Sequence, residues 1–276
     1  MHTRNKLSEV CMAAITWASA ILTVGILVFI VGFILVKGIP YIKPQLFSLT
    51  YNSTNVSLMP ALITTVIMTL LSLLIAAPLA IFAAIYLVEY AKRGSRIVAI
   101  IRMTTETLSG IPSIVYGLFG LLFFVTFLGW GFSVLAGAFT LAIMVLPLIM
   151  RASEEALKAV PDAYREGAFG LGAGKLLAVF KIILPAAMPG ILAGVILSIG
   201  RIVGETAALI YTAGTVAQIP GSLMQSARTL SVHMYALSSE GLHTNEGYAT
   251  AVILLLVVAF INTLSAKIAK RIGGTA

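Results

Sequence analysis

The chain has 276 residues, of which 59% are hydrophobic and only 10% charged, with a mean hydropathy of +1.04. Water-soluble domains carry about 25% charged residues, so this composition belongs in lipid; it excludes a disordered or collagen-like chain, and the lone Cys11 excludes a disulfide-stapled secreted domain. The net charge of +8 is spread thinly between apolar runs, which suits a membrane surface and not nucleic acid.

A hydrocarbon core about 30 Å thick needs roughly 20 apolar residues at helical rise. Six such runs occur in chain order: Met12–Val36, Leu62–Val88, Ile111–Leu128, Ser133–Met150, Met188–Tyr211 and Tyr248–Ala266. The first follows Arg4 and Lys6 and carries Ala18-Ser19-Ala20, the pattern of a cleavable signal, but its apolar sequence continues well past Ala20, so it reads as a retained helix. Between the second and third runs, Ser95 to Thr107 mixes Ile97, Val98, Ile100, Ile101 and Met103 with Arg96, Arg102 and Glu106, which predicts a short interfacial helix. Pro60, Pro78, Pro112, Pro147, Pro185 and Pro189 lie within or at the edges of spans and predict kinks. The expectation is one all-α, polytopic membrane domain with six transmembrane helices over residues 1–276.

Six spans put both termini on one side, and the distribution of Lys and Arg decides which. With the N-terminus inside, the inner segments hold fourteen cations: Arg4 and Lys6; Lys92, Arg93, Arg96 and Arg102; Arg151, Lys158, Arg165, Lys175 and Lys181; Lys267, Lys270 and Arg271. The outer segments hold three, Lys37, Lys43 and Arg228, and Arg201 is the one cation within a predicted span. Both termini are therefore expected in the cytoplasm.

The residues offer no enzyme constellation. His2, His233 and His243 lie outside the spans, no two are spaced to share a metal, and His233 and His243 read as solvated loop residues. Cys11 reads as a small buried hydrophobe. Gly167, Gly170, Gly172 and Gly174 precede Lys175, yet Phe169 and Leu176 break the phosphate-loop pattern, so energy must come from a partner or a gradient. No cofactor is expected. Asn52-Ser53-Thr54 and Asn55-Val56-Ser57 match glycosylation acceptors on the outer side and would be inert in a prokaryotic membrane.

The longest inner connection, 151–185, is too structured in sequence for a linker. Pro161 fits a first helical position with Asp162 behind it, where the helix dipole favours an anion, and Gly172 supplies a C-terminal stop. Leu176, Leu177, Val179, Phe180 and Ile183 then form a second short segment, so two short helices joined by a glycine turn are predicted. Such an exposed apolar elbow is either a docking knob or a helix pair lying on its own bundle.

Glu166-Gly167-Ala168, Gly172, Ile182, Leu184 and Pro185 have the order and spacing of the EAA loop of ABC-importer permeases. Tyr86-Leu87-Val88-Glu89-Tyr90-Ala91, the run Gly110 to Phe119 and Arg201-Ile202-Val203-Gly204-Glu205-Thr206-Ala207 further resemble the PstA-like permeases of bacterial and archaeal phosphate importers, over about Pro60 to Arg271. The resemblance implies a MetI-like permease fold in a plasma membrane. It also implies a homologous PstC-like permease, two cytoplasmic ATPase subunits that do the hydrolysis, and an external phosphate-binding protein as partners. The elbow would then be a coupling helix seated in an ATPase cleft, and the polar outer connection 212–247 would help receive the binding protein. Gly167 stands where the family usually has Ala, a change that loosens a helix by about 1 kcal/mol. Importers of sulfate, molybdate or phosphonate share the elbow, and a non-transporting scaffold is the reading from another class.

Within the fifth predicted span, Arg201 and Glu205 are one helical turn apart, and ionisable groups in a membrane are functional candidates by default. At ~100° per residue, Gly190, Gly194, Ser198, Arg201 and Glu205 fall within ~80°, so small residues and charges share one face. Gly190, Gly194, Gly200 and Gly204 are the candidates for close helix packing. Two roles stay open for the pair: Arg201 attracts the passing anion while Glu205 holds it between turnovers, or the two form a structural salt bridge. Ser198 and Thr206 are candidate neutral donors.

Overall fold

The computed structural model describes residues 2–92 and 94–273. Arg93, counted above with the inner cations, lies outside the described residues, as do the side chains of Arg4, Lys6, Lys270 and Arg271. The described residues are helical and contain no strand. Five helices are long and apolar enough to cross a membrane, Glu9–Tyr41, Met59–Tyr90, Val134–Ala159, Lys175–Val203 and Thr244–Lys267; a sixth crossing is reached when a bent pair of helices counts as one.

Helix α1 (His2–Gly38) stands apart: its side chains are exposed along nearly the whole apolar length, and it meets the rest of the chain only near its end. There Gly38 lies against the Tyr248 carbonyl, a contact any side chain would block, and Phe33 stacks edge-on to Tyr248 at 5.9 Å. An apolar helix left uncovered must face lipid or another chain. Cys11, on this helix, is exposed and not buried as its composition class suggested. In the turn that follows, Asn52 Oδ1 accepts from the Thr54 and Asn55 amides and Asn55 Nδ2 donates to the Thr50 carbonyl, so both acceptor asparagines are used by the loop itself.

Helix α2 (Met59–Ile85) begins with Pro60, whose missing N–H costs nothing in a first turn, and continues through a π-helical turn over Tyr86–Tyr90. Ala76, Ala80 and Ala84 recur every four residues and are fully buried, giving α2 a smooth stripe for close approach. Helix α3 (Arg96–Ser109) forms where the mixed sequence predicts a short helix. It meets α4 (Ser113–Gly120), which runs on through a π turn Leu121–Phe127, at 101° across Gly110-Ile111-Pro112. Pro112, lacking an N–H and held with ψ 140°, makes that corner. The expected third span is thus a short helix set at a sharp bend from α3, with Tyr116 Oη donating to the Leu108 carbonyl to brace the corner.

Helix α5 (Val134–Ala159) is the most buried crossing and carries the core, packed on α2 from one side and on the fifth crossing from the other. Ser133 Oγ caps it by accepting the Ala136 amide, and Ser72 Oγ of α2 donates to its Ala138 carbonyl at 3.1 Å. It runs on to Ala159, beyond the predicted end of the fourth span at Met150. After α6 (Asp162–Gly170), α7 (Lys175–Ala178) passes through a π turn Val179–Ile183 into α8 (Leu184–Val203). The expected short second segment of the elbow is therefore the first two turns of a crossing that starts at Lys175.

The same crossing ends early. Gly204 caps it, and α9 (Ala207–Ile210) is a separate single turn, so the predicted Met188–Tyr211 helix is broken near its C-terminal end. The connection that follows forms α10 (Leu230–Glu240), which precedes α11 (Thr244–Gly273) and is fastened to α2 where Thr65 Oγ1 accepts the Leu230 amide.

That fastening overturns the reading of His233 as a solvated loop residue: it lies inside α10, fully buried, edge-on to the Tyr51 ring at 6.1 Å. Arg228, expected on an outer loop, is only 6% exposed, with its guanidinium over the same ring at 4.7 Å. Burial, then the Arg228 charge, lower the His233 pKa to about 3. The unfolded chain, with a His near 6.5, therefore binds a proton that the folded chain refuses. Stability is full above 6.5 and is lost as pH falls from there towards 3, so His233→Leu should flatten the acid limb of a melting-temperature profile.

Candidate functional site

The elbow is built by the end of α5. Val160 leaves the helix, Pro161 holds ψ at 141°, and α6 starts at once with Asp162 in its first turn. Gly172 at φ +81° then reverses the chain, a conformation that side chains other than glycine rarely adopt.

Arg165 ties this elbow down. Its Nη2 donates to Glu89 Oε1 at 2.7 Å and to the Leu157 carbonyl at 2.9 Å, its Nη1 donates to the Val160 carbonyl at 2.8 Å and to Asp162 at 3.1 Å, and its Nε reaches Glu89 at 3.2 Å. One side chain thus caps the last carbonyls of α5 and joins α6 to the π turn at the end of α2. The pair is nearly dry, with side-chain exposures of 17% for Arg165 and 8% for Glu89, and the hydrogen bond to Glu89 raises the arginine pKa further. Neither residue was a candidate from spacing; Glu89 occurred only within a resembling stretch, and nothing linear links it to Arg165.

Of the predicted elbow residues, Ala168 is buried and anchors α6, while Glu166 and Gly167 are exposed, with open space around the Gly167 Cα. Ile182 and Leu184 are half-buried and Pro185 exposed on the long helix; Ile183 takes the core position. Leu171 at the turn is 92% exposed, beside exposed Phe169, Leu176 and Leu177. The elbow is a projecting, apolar, firmly braced corner.

The charged end of α8 differs from expectation. Because the helix stops at Gly204, Glu205 does not sit one turn above Arg201 on a shared face, and no ion pair joins the two. Glu205, 8% exposed, instead accepts the Ala208 amide with Oε1 at 3.1 Å and the Ser231 hydroxyl with its carbonyl at 2.5 Å. It holds the broken helix end to α10. Arg201 is half-buried and, among the described residues, has no carboxylate within ion-pair distance. Ser198 is buried but spends its hydroxyl on the Gly194 carbonyl at 2.9 Å, and Thr206 starts the α9 turn.

The four glycines divide in the same way. A Cβ on Gly190 would lie 2.6 Å from Ala156 Cβ, and one on Gly194 would collide with Ala152 Cβ, so these two seat α8 on α5. Gly200 has nothing within 4 Å and Gly204 is the helix cap, so neither is a packing glycine within this chain.

Residues 76–273 match the family described as the inner membrane component of binding-protein-dependent transport systems. The chain belongs to this family. It is accordingly a multi-pass membrane protein, all-α, with five to six crossings. It is 33% identical over 268 residues to the phosphate transport system permease protein PstA of Haemophilus influenzae, covering 94% of this chain and 92% of that one. It is 32% identical over 260 residues to the probable ABC transporter permease protein YqgI of Bacillus subtilis, covering 86% and 88%. Among solved structures it resembles a bacterial ABC transporter involved in import of the acidic polysaccharide alginate, with a TM-score of 0.68 at 15% identity over 93% of this chain and 95% of that one. The inward-facing MetNI methionine ABC transporter matches with a TM-score of 0.59 at 19% identity, covering 77% and 93%. At those identities the likeness is one of fold.

Proposed function

We propose that this chain is a permease subunit of an ATP-driven importer that moves inorganic phosphate into the cell by alternating access. In this reading it pairs with a homologous PstC-like permease, two cytoplasmic ATPase subunits and an external phosphate-binding protein, in the plasma membrane of a bacterium or archaeon with both termini inside. The observation that carries the reading is the braced elbow: an exposed apolar corner at Leu171, tied through Arg165 to two crossings at once, is built to receive force and pass it on. Phosphate as cargo is supported by the PstA relatives, by their names, and by a cation inside a crossing that, among the described residues, no carboxylate neutralises.

Arg201 takes the part of the group that meets the anion, since its fork of donors suits phosphate oxygens. Glu205 takes a structural part, as the clasp of the outer helix end. The complex reconstituted in liposomes should take up phosphate with sulfate, molybdate and phosphonate as poor competitors. Arg201→Gln should abolish or uncouple that uptake while leaving assembly intact. Uptake at the wild-type rate would refute the passage role, and loss of assembly would make the arginine a structural residue.

A further inference from the structure

Behind the elbow, where α3, the end of α2 and α6 come together, lies a crevice of about 600 Å³. Five of its lining side chains are cationic, Lys92, Arg102, Lys158, Arg165 and Lys175, against the two carboxylates Glu89 and Asp162. Both carboxylates are engaged by Arg165. Arg102 and Lys158 share a single acid from behind the wall, Glu154, at 2.6 Å each. Lys92 and Lys175 have no acid within ion-pair distance among the described residues, and Lys175 Nζ lies 4.8 Å from the centre of the Tyr90 ring. The crevice therefore keeps an uncompensated positive charge.

Its depth is set by α3. That helix turns 101° away from the crossing that follows, exposes Ile97, Ile100 and Met103, and sends Val98 into the core. A helix with one exposed apolar face and a right-angle junction to a crossing lies flat at the boundary between headgroups and acyl chains. The crevice beside it sits at the level of lipid phosphates. Leu79, Phe82 and Tyr86, exposed on the stretch of α2 that leads from the crevice into the apolar zone, offer a surface for acyl chains.

We propose that this crevice binds the phosphate group of an anionic lipid headgroup, held by Lys92 and Lys175, and that the bound lipid braces the elbow against the end of the second crossing. Only the choice of leaflet rests on the orientation proposed above; binding itself does not depend on transport. Basic pockets between membrane helices near the surface are suited to such headgroups, each cation adding attraction for the anion.

The test uses the full chain, purified with its associated subunits and placed in phosphatidylcholine nanodiscs with and without phosphatidylglycerol. Native mass spectrometry should find phosphatidylglycerol retained on the wild type through washing. In Lys92→Gln/Lys175→Gln that retention should fall roughly tenfold or more with an unchanged melting temperature. Equal retention by the double variant would overturn the proposal. Displacement of the lipid by millimolar inorganic phosphate would overturn it too, assigning the crevice to a soluble anion. Should the double variant not purify, a phosphatidylglycerol with a photoreactive acyl chain decides on the wild type. Crosslinks within residues 79–103 support the site, and crosslinks confined to other crossings refute it.

Discussion

Replacing Arg165 by methionine is expected to destabilise the protein by about 3–5 kcal/mol, the range for breaking a buried ion pair by removing one partner. Methionine keeps the apolar stem and deletes the fork. The deletion leaves Glu89 charged and nearly dry, and it frees the Leu157 and Val160 carbonyls at the end of α5. Glu89→Gln should cost less, because an amide oxygen still accepts from the guanidinium. The double variant should cost less than the sum of the two, since each single change already removes the shared interaction. The functional consequence follows from the same geometry. With the fork gone, α6 is held to the bundle by Ala168 and the two chain connections, so force on the elbow bends the corner before it reaches α2 and α5. In reconstituted complexes the ATP consumed per phosphate moved should rise sharply in Arg165→Met. A variant that melts and transports as the wild type does would show that the tie carries neither stability nor work.

The crossings were legible because a bilayer imposes a length. An apolar run that must last about 20 residues and stop at charge or proline is visible in composition alone, which is why α1 and α11 contain their predicted runs, α2 covers its run together with the π turn that follows it, and α5 covers its run but for the capping Ser133. The fifth crossing misled at both ends for one reason: hydropathy registers polarity and not helix breaks. Val179 to Ile183 looks like a separate apolar segment, yet nothing in it stops the helix; Ala207 to Ile210 looks like a continuation, yet Gly204 has already ended it. The available signal was the order Gly204-Glu205-Thr206, a glycine cap followed by an acid that can accept an amide of the next turn. At the elbow, Pro161, Asp162 and Gly172 each carry a local backbone preference, so start and stop could be read. Arg165 and Glu89 could not, because their meeting depends on how the end of α2 lies over α6. His233 failed for the opposite reason: a polar-looking outer segment is buried once α10 settles on α2.

Gly194→Leu is expected to be strongly damaging, costing at least ~3 kcal/mol, the upper part of the usual range for overpacking. Carbon atoms in contact prefer about 3.5–4.0 Å, and even the bare Cβ of a residue at 194 would collide with Ala152 Cβ. Gly190 repeats the situation one turn earlier, where the gap to Ala156 Cβ would be 2.6 Å. Both obstacles are methyl groups fixed to the backbone of α5, with no rotamer to move, so the helices themselves must separate. Separation would matter for more than stability, because α5 carries the start of the elbow and α8 carries Arg201, and a gap between them cuts the rigid connection from one to the other. Gly200→Leu is the control. Its Cβ has no neighbour within 4 Å, and replacing glycine within a helix gains up to ~1 kcal/mol of propensity, so the isolated chain should melt at the wild-type temperature or above it. Paired measurements then separate two surfaces of one helix. Gly194→Leu should lower the melting temperature of the chain alone. Gly200→Leu should leave it intact and reduce co-purification of a second permease if the open face at 200 belongs to a subunit interface. A Gly194→Leu chain as stable as the wild type would mean that α5 and α8 do not meet through Ala152.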